Sequence, residues 1–455
     1  MGGFGLYSTR CPDRAETHKS MKPIKIGILG AGSFARAFTP LFKAHPQVRG
    51  VSITEVLPER RREEAALAGV TETYATLEEL LASDCDGVAI FTQRWLHARQ
   101  AIAALRAGKH VYSAVPAGTT VDELRDLVET VRTTGLTYML GETSYYYPSA
   151  IFCREMWRKG KFGRFVYGEG EYLHDMSHGF YEAYQYSGGQ DWKRTAGIPP
   201  MLYPTHTTSM IVGVTGARMT RVSCLGQVDQ SGDGAFGKGL NIWDNEFSNE
   251  TALFRTSDGG SARLNEFRRV GHWGGPSVRL SLFGTEACFE EQPEGDVWVN
   301  KAREVTPLGG LLVCDPSGAK DGASASAGVK TAVDGTQHDF HSGMAPVHPT
   351  WRLPPEIAGL PTGHEGSHLF LVDDFVRACT TGMLPPNHAW AAARYNIPGI
   401  IAHESAKRDG ELLAVPDLGD PPAGATLLEP TLDALAPAKP AWSMPKPAYT
   451  GKSWW

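Results

Sequence analysis

Apolar residues follow two different rhythms along the chain, and the first rhythm begins at residue 22. Ile24 to Leu29 form a short apolar run, a glycine turn follows, and Phe34 and Phe38 then recur at helical spacing. Four more apolar runs alternate with helical segments: VSITEVL, GVAIFT, KHVYS and LTYMLG. Strands that alternate with helices predict parallel βαβ units. We therefore expect an α/β doubly wound parallel sheet over residues 22–143.

Two of the intervening helices carry a start signal that fixes where they begin. Thr76 is followed three residues later by Glu79, and Thr120 is followed in the same way by Glu123. This spacing is the capping box, in which the two residues satisfy each other's free backbone N–H groups. Both segments are therefore predicted to be helices.

The second rhythm starts after residue 143, where strands dominate. The predicted strands lie in RFVYGEGEYLHD, MTRVSCLGQV, ETALFRTSDGGSARLNEF, SVRLSLFGTEACFEE and DVWVNKAREV. The tetrapeptide SDGG within one of these runs is a hairpin signal. We expect a second, α+β domain over residues 144–416, with an open, mostly antiparallel sheet and two late helices, SHLFLVDDFVRACTTG and HAWAAARYNIPGIIAHESAKRDG.

Three segments lack either rhythm. Residues 1–21 have no apolar core of a secretory signal, and we predict a flexible N-terminal extension. Residues 307–363 are rich in Gly, Ala, Ser and Pro, which predicts an irregular insertion. Residues 417–455 form a proline-rich tail that either wraps a surface or a neighbouring subunit, or is frayed.

Charge and cysteine content exclude several classes of partner. The formal net charge of the 455 residues is −6, which argues against a nucleic-acid partner. No apolar run approaches the roughly 20 residues that span a bilayer, so we expect no membrane. The seven cysteines are scattered without a CxxC pair, which is typical of reduced thiols and predicts a cytoplasmic location.

The segment GILGAGSFA between the first strand and helix has the form G-x-G-x-x-A of a dinucleotide-binding turn. Gly30 permits the tight turn, and Gly32 lets the backbone approach a pyrophosphate. Ser33 and Phe34 open the helix, whose N–H groups face the phosphates. Glu55 ends the second strand, where a carboxylate can accept both ribose hydroxyls and repel a 2′-phosphate. NAD is therefore favoured over NADP, although the three arginines at residues 60–62 weaken that preference.

The passage DGVAIFTQRWLHARQAIAALRAGKHVYSAVPAG resembles the third-to-fifth-strand region of the Gfo/Idh/MocA oxidoreductases. GHEGSHLFLVDDFVRA and GIIAHESAKRDGE resemble the late helices of that family, so the resemblance runs from about residue 22 to about residue 417. It implies an NAD-binding Rossmann domain and a substrate domain, acting mostly on sugars and polyols. It also places five residues beside the cofactor: Thr92, Trp95, His97, Ala114 and Val115.

One departure from the family pattern indicates which branch of the family the chain resembles. The usual turn reads Glu-Lys-Pro, but here it is Ala114-Val115-Pro116, so the family's lysine is absent. The NAD-dependent glycosidases of the α-N-acetylgalactosaminidase type also lack it, and KGKFGRFVYGEGEYLHD and YPTH resemble that branch. By this resemblance Tyr203 and His206 fall on catalytic positions. Tyr172 and Glu142 fall near the sugar and the nicotinamide.

The residues themselves give His206 a chemical argument. Oxidation of a carbinol needs a base for the hydroxyl proton, and histidine is suited to that role. His206 comes just before an apolar helical run, so we expect it at a helix start, where it could also be an ordinary polar residue. Tyr203 could orient the hydroxyl or relay the proton, or could be a packed core tyrosine.

Two further clusters are candidates for substrate contact. Tyr172, His174 and Asp175 in EYLHDMSH are predicted to form a substrate-facing rim, and the strand-like pattern disfavours a metal there. HEGSH, from His364 to His368, matches the zinc-protease pattern H-E-x-x-H. Its flanking and internal glycines disfavour the helix that such a zinc site needs. We therefore expect no metal, and a sugar-binding or structural role for both histidines.

These inferences favour an NAD-dependent oxidoreductase that transfers a hydride between nicotinamide and a ring carbon of a sugar or glycoside. The alternative is a redox-assisted glycoside hydrolase, in which oxidation, elimination, water addition and re-reduction with bound NAD follow one another. A zinc hydrolase acting through HEGSH and a non-catalytic NAD-binding protein are less favoured. The resemblance also implies a homo-oligomer, a dimer or tetramer, that associates through the open sheet face.

Overall fold

The computed structural model describes residues 22–272, 277–292, 295–314, 330–331, 337–338, 343–428 and 442–450. The predicted N-terminal extension, residues 1–21, lies outside the described residues. So do the largest part of the predicted insertion between residues 315 and 342, and residues 429–441 and 451–455 of the tail.

Six parallel strands form the first sheet. They are β1 (Ile24–Leu29), β2 (Val48–Thr54), β3 (Thr73–Tyr74), β4 (Gly87–Ile90), β5 (His110–Ser113) and β6 (Tyr138–Leu140). The strand order is β3-β2-β1-β4-β5-β6, and every neighbouring pair is parallel. The order reverses beside β1, and ligands of doubly wound sheets bind at the carboxyl ends of the strands at that point. The predicted α/β sheet is confirmed.

Five helices cover this sheet: α1 (Ser33–Ala44), α2 (Pro58–Ala68), α3 (Leu77–Ala82), α4 (His97–Arg106) and α5 (Val121–Thr134). Both predicted helix starts are present. Thr120 and Glu123 form a complete capping box at α5. At α3 the Thr76 hydroxyl accepts from Glu79 N, but the Glu79 carboxylate accepts from Ala75 N instead of Thr76 N.

The remaining elements run in chain order as α6 (Pro148–Arg158), β7 (Phe165–Leu173), α7 (Tyr181–Gly188), α8 (Lys193–Ala196), α9 (Thr205–Thr215), β8 (Met219–Val228), β9 (Phe247–Thr256), β10 (Ser261–Phe267), β11 (Val278–Gly284), β12 (Ala287–Gln292), β13 (Gly295–Asn300), β14 (Glu304–Pro307), α10 (Gly309–Leu312), β15 (Lys330–Thr331), β16 (Gln337–His338), α11 (Pro355–Ala358), α12 (Ser367–Thr381), α13 (Ala389–Ala406), β17 (Leu413–Ala414) and β18 (Tyr449–Thr450). Strands β15 and β16 pair only with each other in the described part of the chain.

The other ten of these strands form one sheet in the order β17-β8-β9-β10-β7-β11-β12-β13-β14-β18. Strands β7 and β10 are parallel, and the other neighbours are antiparallel. This confirms the predicted open, mostly antiparallel sheet. The predicted hairpin at SDGG joins β9 to β10, and the two predicted late helices are α12 and α13.

Helix α9 lies directly on strand β7, and glycine makes the close approach possible. A Cβ atom on Gly170 would lie 2.8 Å from the backbone oxygen of Thr207, which is in α9. A side chain at this position would therefore push the helix away from the sheet. The contact fixes α9, and with it the residues at its start, against the middle of the second sheet.

The opposite face of this sheet is open. Leu225 and Leu253 are 61% and 58% exposed, and they lie among charged side chains such as those of Arg263 and Glu169, which are 3.2 Å apart. An open sheet face with exposed leucines is compatible with the expected association of two or more copies of this chain. The homo-oligomer itself stays a prediction.

Helices α12 and α13 join the two sheets into one interior. Phe375 of α12 packs against Tyr112 of β5, with ring centres 5.7 Å apart. Asn396 of α13 accepts a hydrogen bond from the backbone N–H of Ala117, just after the β5 turn. The described parts of the tail also pack on this chain, since Trp442 contacts Phe152 and β18 pairs with β14.

None of the helices within the described ranges combines the length and the apolar character needed to cross a membrane.

Candidate active site

The glycine turn after β1 presents a helix start that no side chain caps. Gly32 is the N-cap of α1, and its position supplies no side-chain hydrogen bond to the first turn. The first N–H groups of α1 and the positive end of its dipole are thus available to an anion. Ala35 is buried where the helix passes the sheet. These features fit the pyrophosphate of a dinucleotide.

The two glycines of the turn have different physical roles. Gly30 has φ +88°, and a Cβ atom there would lie 3.0 Å from the backbone of Phe91. Gly32 has φ −82°, and a Cβ atom there would meet nothing within 4 Å. Gly30 is therefore required by the protein's own backbone, whereas the space at Gly32 is open for a ligand.

This difference predicts opposite effects of two alanine substitutions. Gly30→Ala is expected to lower the free energy of unfolding by about 1–3 kcal/mol, because it strains the backbone. Gly32→Ala is expected to change stability by about 1 kcal/mol or less but to weaken NAD binding about tenfold or more, because the methyl group occupies the approach to the phosphates. Denaturant unfolding and titration calorimetry measure the two effects. Wild-type NAD affinity in Gly32→Ala would contradict this assignment.

Glu55 lies beside the glycine turn, as the sequence predicts. Its carboxylate is buried and accepts hydrogen bonds from Ala31 N and Leu57 N, both at 3.1 Å. Two of the neighbouring arginines bond to protein groups: Arg60 donates to the carbonyl of Tyr186, and Arg61 donates to the carbonyl of Glu55. The carboxylate at the turn would repel a 2′-phosphate, and these two arginines are already bonded to backbone carbonyls. Both observations support the preference for NAD over NADP.

His97 forms a bridge between the loops that follow β4 and β5. Its Nδ1 lies 2.8 Å from Pro116 O, and its Nε2 lies 3.0 Å from Thr92 O. Burial lowers the pKa of His97. Because both ring nitrogens face backbone carbonyls, the influence of His97 on a cofactor passes through the shape of these loops.

The other residues expected beside the cofactor lie around this bridge. Ala114 and Val115 are buried at the carboxyl end of β5, and Trp95 packs against Trp243 with ring centres 5.5 Å apart. Direct contacts of Thr92, Trp95, Ala114 and Val115 with the cofactor stay predictions.

His206 and Glu142 form a buried pair between the two sheets. Helix α9 begins at Thr205, so His206 lies at the helix start as predicted. Its Nδ1 is 2.6 Å from the Glu142 Oε1, which also accepts from the backbone N–H and the hydroxyl of Ser144. Glu142 follows β6 and is fully buried. The pair therefore joins the carboxyl edge of the first sheet to the second domain.

The charge of this pair follows from its contacts. Burial would raise the pKa of Glu142, but the attraction of His206 and the hydrogen bonds from His206 and Ser144 outweigh it and hold the pKa below its usual value. An ionised Glu142 accepts the Nδ1 proton of His206, which fixes the tautomer and leaves Nε2 as the basic nitrogen. The resemblance places Glu142 near the nicotinamide, and the structure adds this direct bond to the predicted base.

Two tyrosines surround the His206 ring. The ring centres of Tyr172 and Tyr203 lie 5.2 and 5.3 Å from that of His206. Burial raises the pKa of both phenols, so both are hydrogen-bond donors at neutral pH. The Tyr172 hydroxyl lies 2.9 Å from Nδ1 of His174, whose Nε2 is 2.8 Å from the His178 carbonyl. The structure thus places Tyr172, Tyr203 and His206 next to one another, and their roles with a substrate stay predictions.

Asp175 holds the chain that follows β7. Its carboxylate accepts from Ser177 N and Oγ and from Val270 N. Burial would raise the pKa of Asp175, but these hydrogen bonds lower it. Asp175 thus caps this segment, while contact of His174 or Asp175 with a substrate stays a prediction.

A small pocket opens beside Tyr203, and sequence reasoning missed most of its lining. The lining residues are Arg94, Phe180, Tyr184, Ile198, Pro199, Pro200, Tyr203 and Arg268. Arg268 is buried and donates to Glu266, whose pKa burial raises to about 7. Neither arginine stands in a recognisable motif. The only sequence signal for Arg94 is its place just after a parallel strand, where ligand contacts concentrate.

The HEGSH segment is not a helical zinc motif. Helix α12 begins at Ser367, and His364 and Glu365 have φ of 48° and 54°. His364 Nδ1 and His368 Nε2 are 3.0 Å apart, and both rings pack on Phe34 at the start of α1. In the described residues, no group of three or more His, Cys, Asp or Glu side chains could hold a metal ion. A sugar-binding role for the two histidines stays a prediction.

A dinucleotide-type glycine turn in the first domain and a carboxylate-supported histidine in the second are features of an oxidoreductase that uses a nucleotide cofactor. Residues 24–142 match the oxidoreductase family with an NAD-binding Rossmann fold, Gfo/Idh/MocA. The first domain therefore has the NAD-binding Rossmann fold of that oxidoreductase family.

Curated relatives whose similarity extends beyond this domain are named as glycosyl hydrolases. A glycosyl hydrolase family 109 protein of Saccharopolyspora erythraea is 25% identical over 441 residues, covering 91% of this chain and 88% of that protein. A protein of the same name from Shewanella amazonensis is 31% identical over 196 residues, covering 41% and 43%.

The fold also matches solved structures. The myo-inositol 2-dehydrogenase of Lactobacillus plantarum superimposes with a TM-score of 0.61 at 17% identity, over 87% of this chain and the whole of that chain. At this identity the likeness shows the shared fold.

Proposed function

We propose that the protein transfers a hydride between NAD and a ring carbon of a sugar or glycoside, with His206 as the base for the hydroxyl proton. The observation that carries the proposal is the pairing of His206 Nδ1 with the buried Glu142, which leaves Nε2 as the basic nitrogen of a ring that lies 5.3 Å from the ring of Tyr203. Within the described part of the chain, this Nε2 has no hydrogen-bond partner. NAD bound at the glycine turn supplies the hydride acceptor and donor.

Each residue of the cluster has a separate task in this proposal. His206 Nε2 accepts the proton of the substrate hydroxyl, and the charged imidazole that results is stabilised by the Glu142 carboxylate. The protonated phenol of Tyr203 donates a hydrogen bond that orients the substrate oxygen. The Ala114-Val115-Pro116 turn carries no ionisable side chain, so the proton chemistry lies with His206.

A second candidate is net hydrolysis of a glycoside. The observation that favours it is the family 109 name of relatives that cover 91% and 87% of this chain. A ketone in the sugar ring acidifies the neighbouring C–H, so that proton and the aglycone can leave and water can add. The hydride removed in the first step is then returned to the ketone carbon, so the bond to the aglycone is replaced by a bond to the water oxygen with no net change in oxidation state.

One experiment separates the two candidates. The purified protein is incubated with p-nitrophenyl glycosides of both anomers and with free sugars, with and without added NAD. Accumulation of NADH supports the dehydrogenase, whereas nitrophenol release without accumulation of NADH supports the hydrolase. If neither product forms with any of these compounds, the sugar assignment is wrong.

A further inference from the structure

The Arg94 side chain leaves the first domain and enters the pocket beside Tyr203. Arg94 lies in the turn that follows β4, and its guanidinium carbon is 4.9 Å from the ring centre of Tyr203 and 5.1 Å from that of Tyr184. Its Nη1 donates a hydrogen bond of 2.8 Å to the Tyr184 hydroxyl. A partly buried cation is thus held next to the proposed catalytic residues.

Arg94 differs from the other arginines of this region in lacking a counter-charge. Arg268 bonds to Glu266, and Arg269 bonds to Asp229 and Asp233. Arg94 has no carboxylate within ion-pair distance in the described residues, and its hydrogen-bond partners there are the hydroxyl groups of Tyr184 and Tyr203. A guanidinium has five N–H donors, and removing it from water without an anion is costly. Most of its donors therefore remain available to a ligand.

We propose that Arg94 binds a carboxylate on the substrate, so that the sugar is a hexuronate or a hexuronide. The planar guanidinium matches a carboxylate in a two-bond arrangement. Tyr203 packs on both Arg94 and His206, so a carboxylate at Arg94 and a reacting hydroxyl at His206 would lie beside the same ring, at a separation that one sugar can span. This inference rests on the proposed function and adds the substrate's charge.

A second anion could use the same cation, namely the pyrophosphate of NAD. The contacts of Arg94 disfavour this source, since they go to Tyr184, Tyr203 and Phe180 of the second domain. The pyrophosphate is expected at the start of α1. The experiment must nevertheless measure NAD affinity alongside sugar affinity.

The test compares matched charged and neutral sugars on the NAD-loaded protein. Calorimetry measures binding of D-glucuronate against D-glucose and of D-galacturonate against D-galactose, and kinetics compare the corresponding p-nitrophenyl uronides and glycosides. The wild type is expected to favour the acids. Arg94→Gln is expected to reduce that preference about 10- to 100-fold, because a charge-assisted hydrogen bond is lost. Arg94→Lys is expected to recover part of it, since the charge is kept.

The control is Arg99→Gln, which removes the same charge from an exposed position on α4. Its preference and NAD affinity are expected to equal those of the wild type. Equal binding of acids and neutral sugars to the wild type overturns the proposal while leaving the sugar function intact. Loss of NAD affinity in Arg94→Gln, with neutral sugars affected as much as acids, assigns Arg94 to the cofactor and also overturns it. If no compound is turned over, the proposed function fails, and the calorimetric preference still decides the role of Arg94.

Discussion

Replacing His206 by glutamine is expected to lower kcat roughly 100- to 10,000-fold, which is the usual contribution of a general base. Glutamine is close to histidine in size and can still bond to Glu142, but it cannot accept a proton at neutral pH. The affinity for NAD is expected to stay at the wild-type value, because the glycine turn and Glu55 do not contact His206. Steady-state kinetics and calorimetric titration with NAD measure the two quantities.

The chain offers a matched control for this experiment. His45 is buried and lies 3.4 Å from the carboxylate of Asp373, at the end of α1 that points away from the glycine turn. His45→Gln removes a histidine of similar burial beside a similar carboxylate. It is expected to leave kcat unchanged, so any loss of stability common to both variants is separated from catalysis. Wild-type turnover in His206→Gln would remove His206 from the mechanism.

Glu142→Gln is expected to lower kcat by a similar factor, roughly 100- to 10,000-fold, because the amide no longer fixes the tautomer of His206 or stabilises its charged form. The substitution is also expected to lower the free energy of unfolding by about 2–3 kcal/mol, the cost of losing buried hydrogen bonds to a charged acceptor. Kinetics and denaturant unfolding measure the two effects. Asp373→Asn, in the control pair with His45, is expected to affect stability without affecting kcat.

The stability effect of Glu142→Gln has a defined pH dependence. The pKa of Glu142 in the folded protein is lower than its ordinary value of 4.5. The carboxylate's contribution is therefore fully present above about pH 4.5 and is lost as the pH falls through the lowered value. The difference in unfolding free energy between the wild type and Glu142→Gln should shrink over that acidic range. A difference that grows with acid would contradict an ionised Glu142.

The sequence predicted most of the fold because each element carries its own local signal. Residues 252–256 of β9 alternate buried and exposed side chains before the turn at SDGG, and the glycine turn follows directly from the spacing of Gly30 and Gly32. The region between β7 and α9 was not predicted. Its short helices have no apolar period, and one turn is broken at His178 and Gly179 by non-helical backbone angles.

The candidate site was only partly predictable for a different reason. The resemblance supplied His206, Tyr203 and Glu142, but the bond between His206 and Glu142 joins residues 64 positions apart. No local sequence pattern indicates which carboxylate will pair with which histidine in the folded chain. The role of His97 could not be predicted from the sequence for the same reason. Its contacts with the carbonyls of Thr92 and Pro116, which hold the two loops together, are found only in the folded structure. The position of Arg94 in the pocket likewise depends on how the two domains pack against each other, which no local sequence pattern predicts.

Two-residue strands close both ends of the ten-stranded sheet, β17 at one end and β18 at the other. Very short end strands offer few free backbone groups to a foreign chain. Strand β18 comes from residues 449–450, whereas its partner β14 ends at Pro307. A nascent chain therefore carries β14 as an unpaired border until residues 449–450 have been synthesised. Protection of this border against aggregation depends on a segment far along the chain from the strand that it covers.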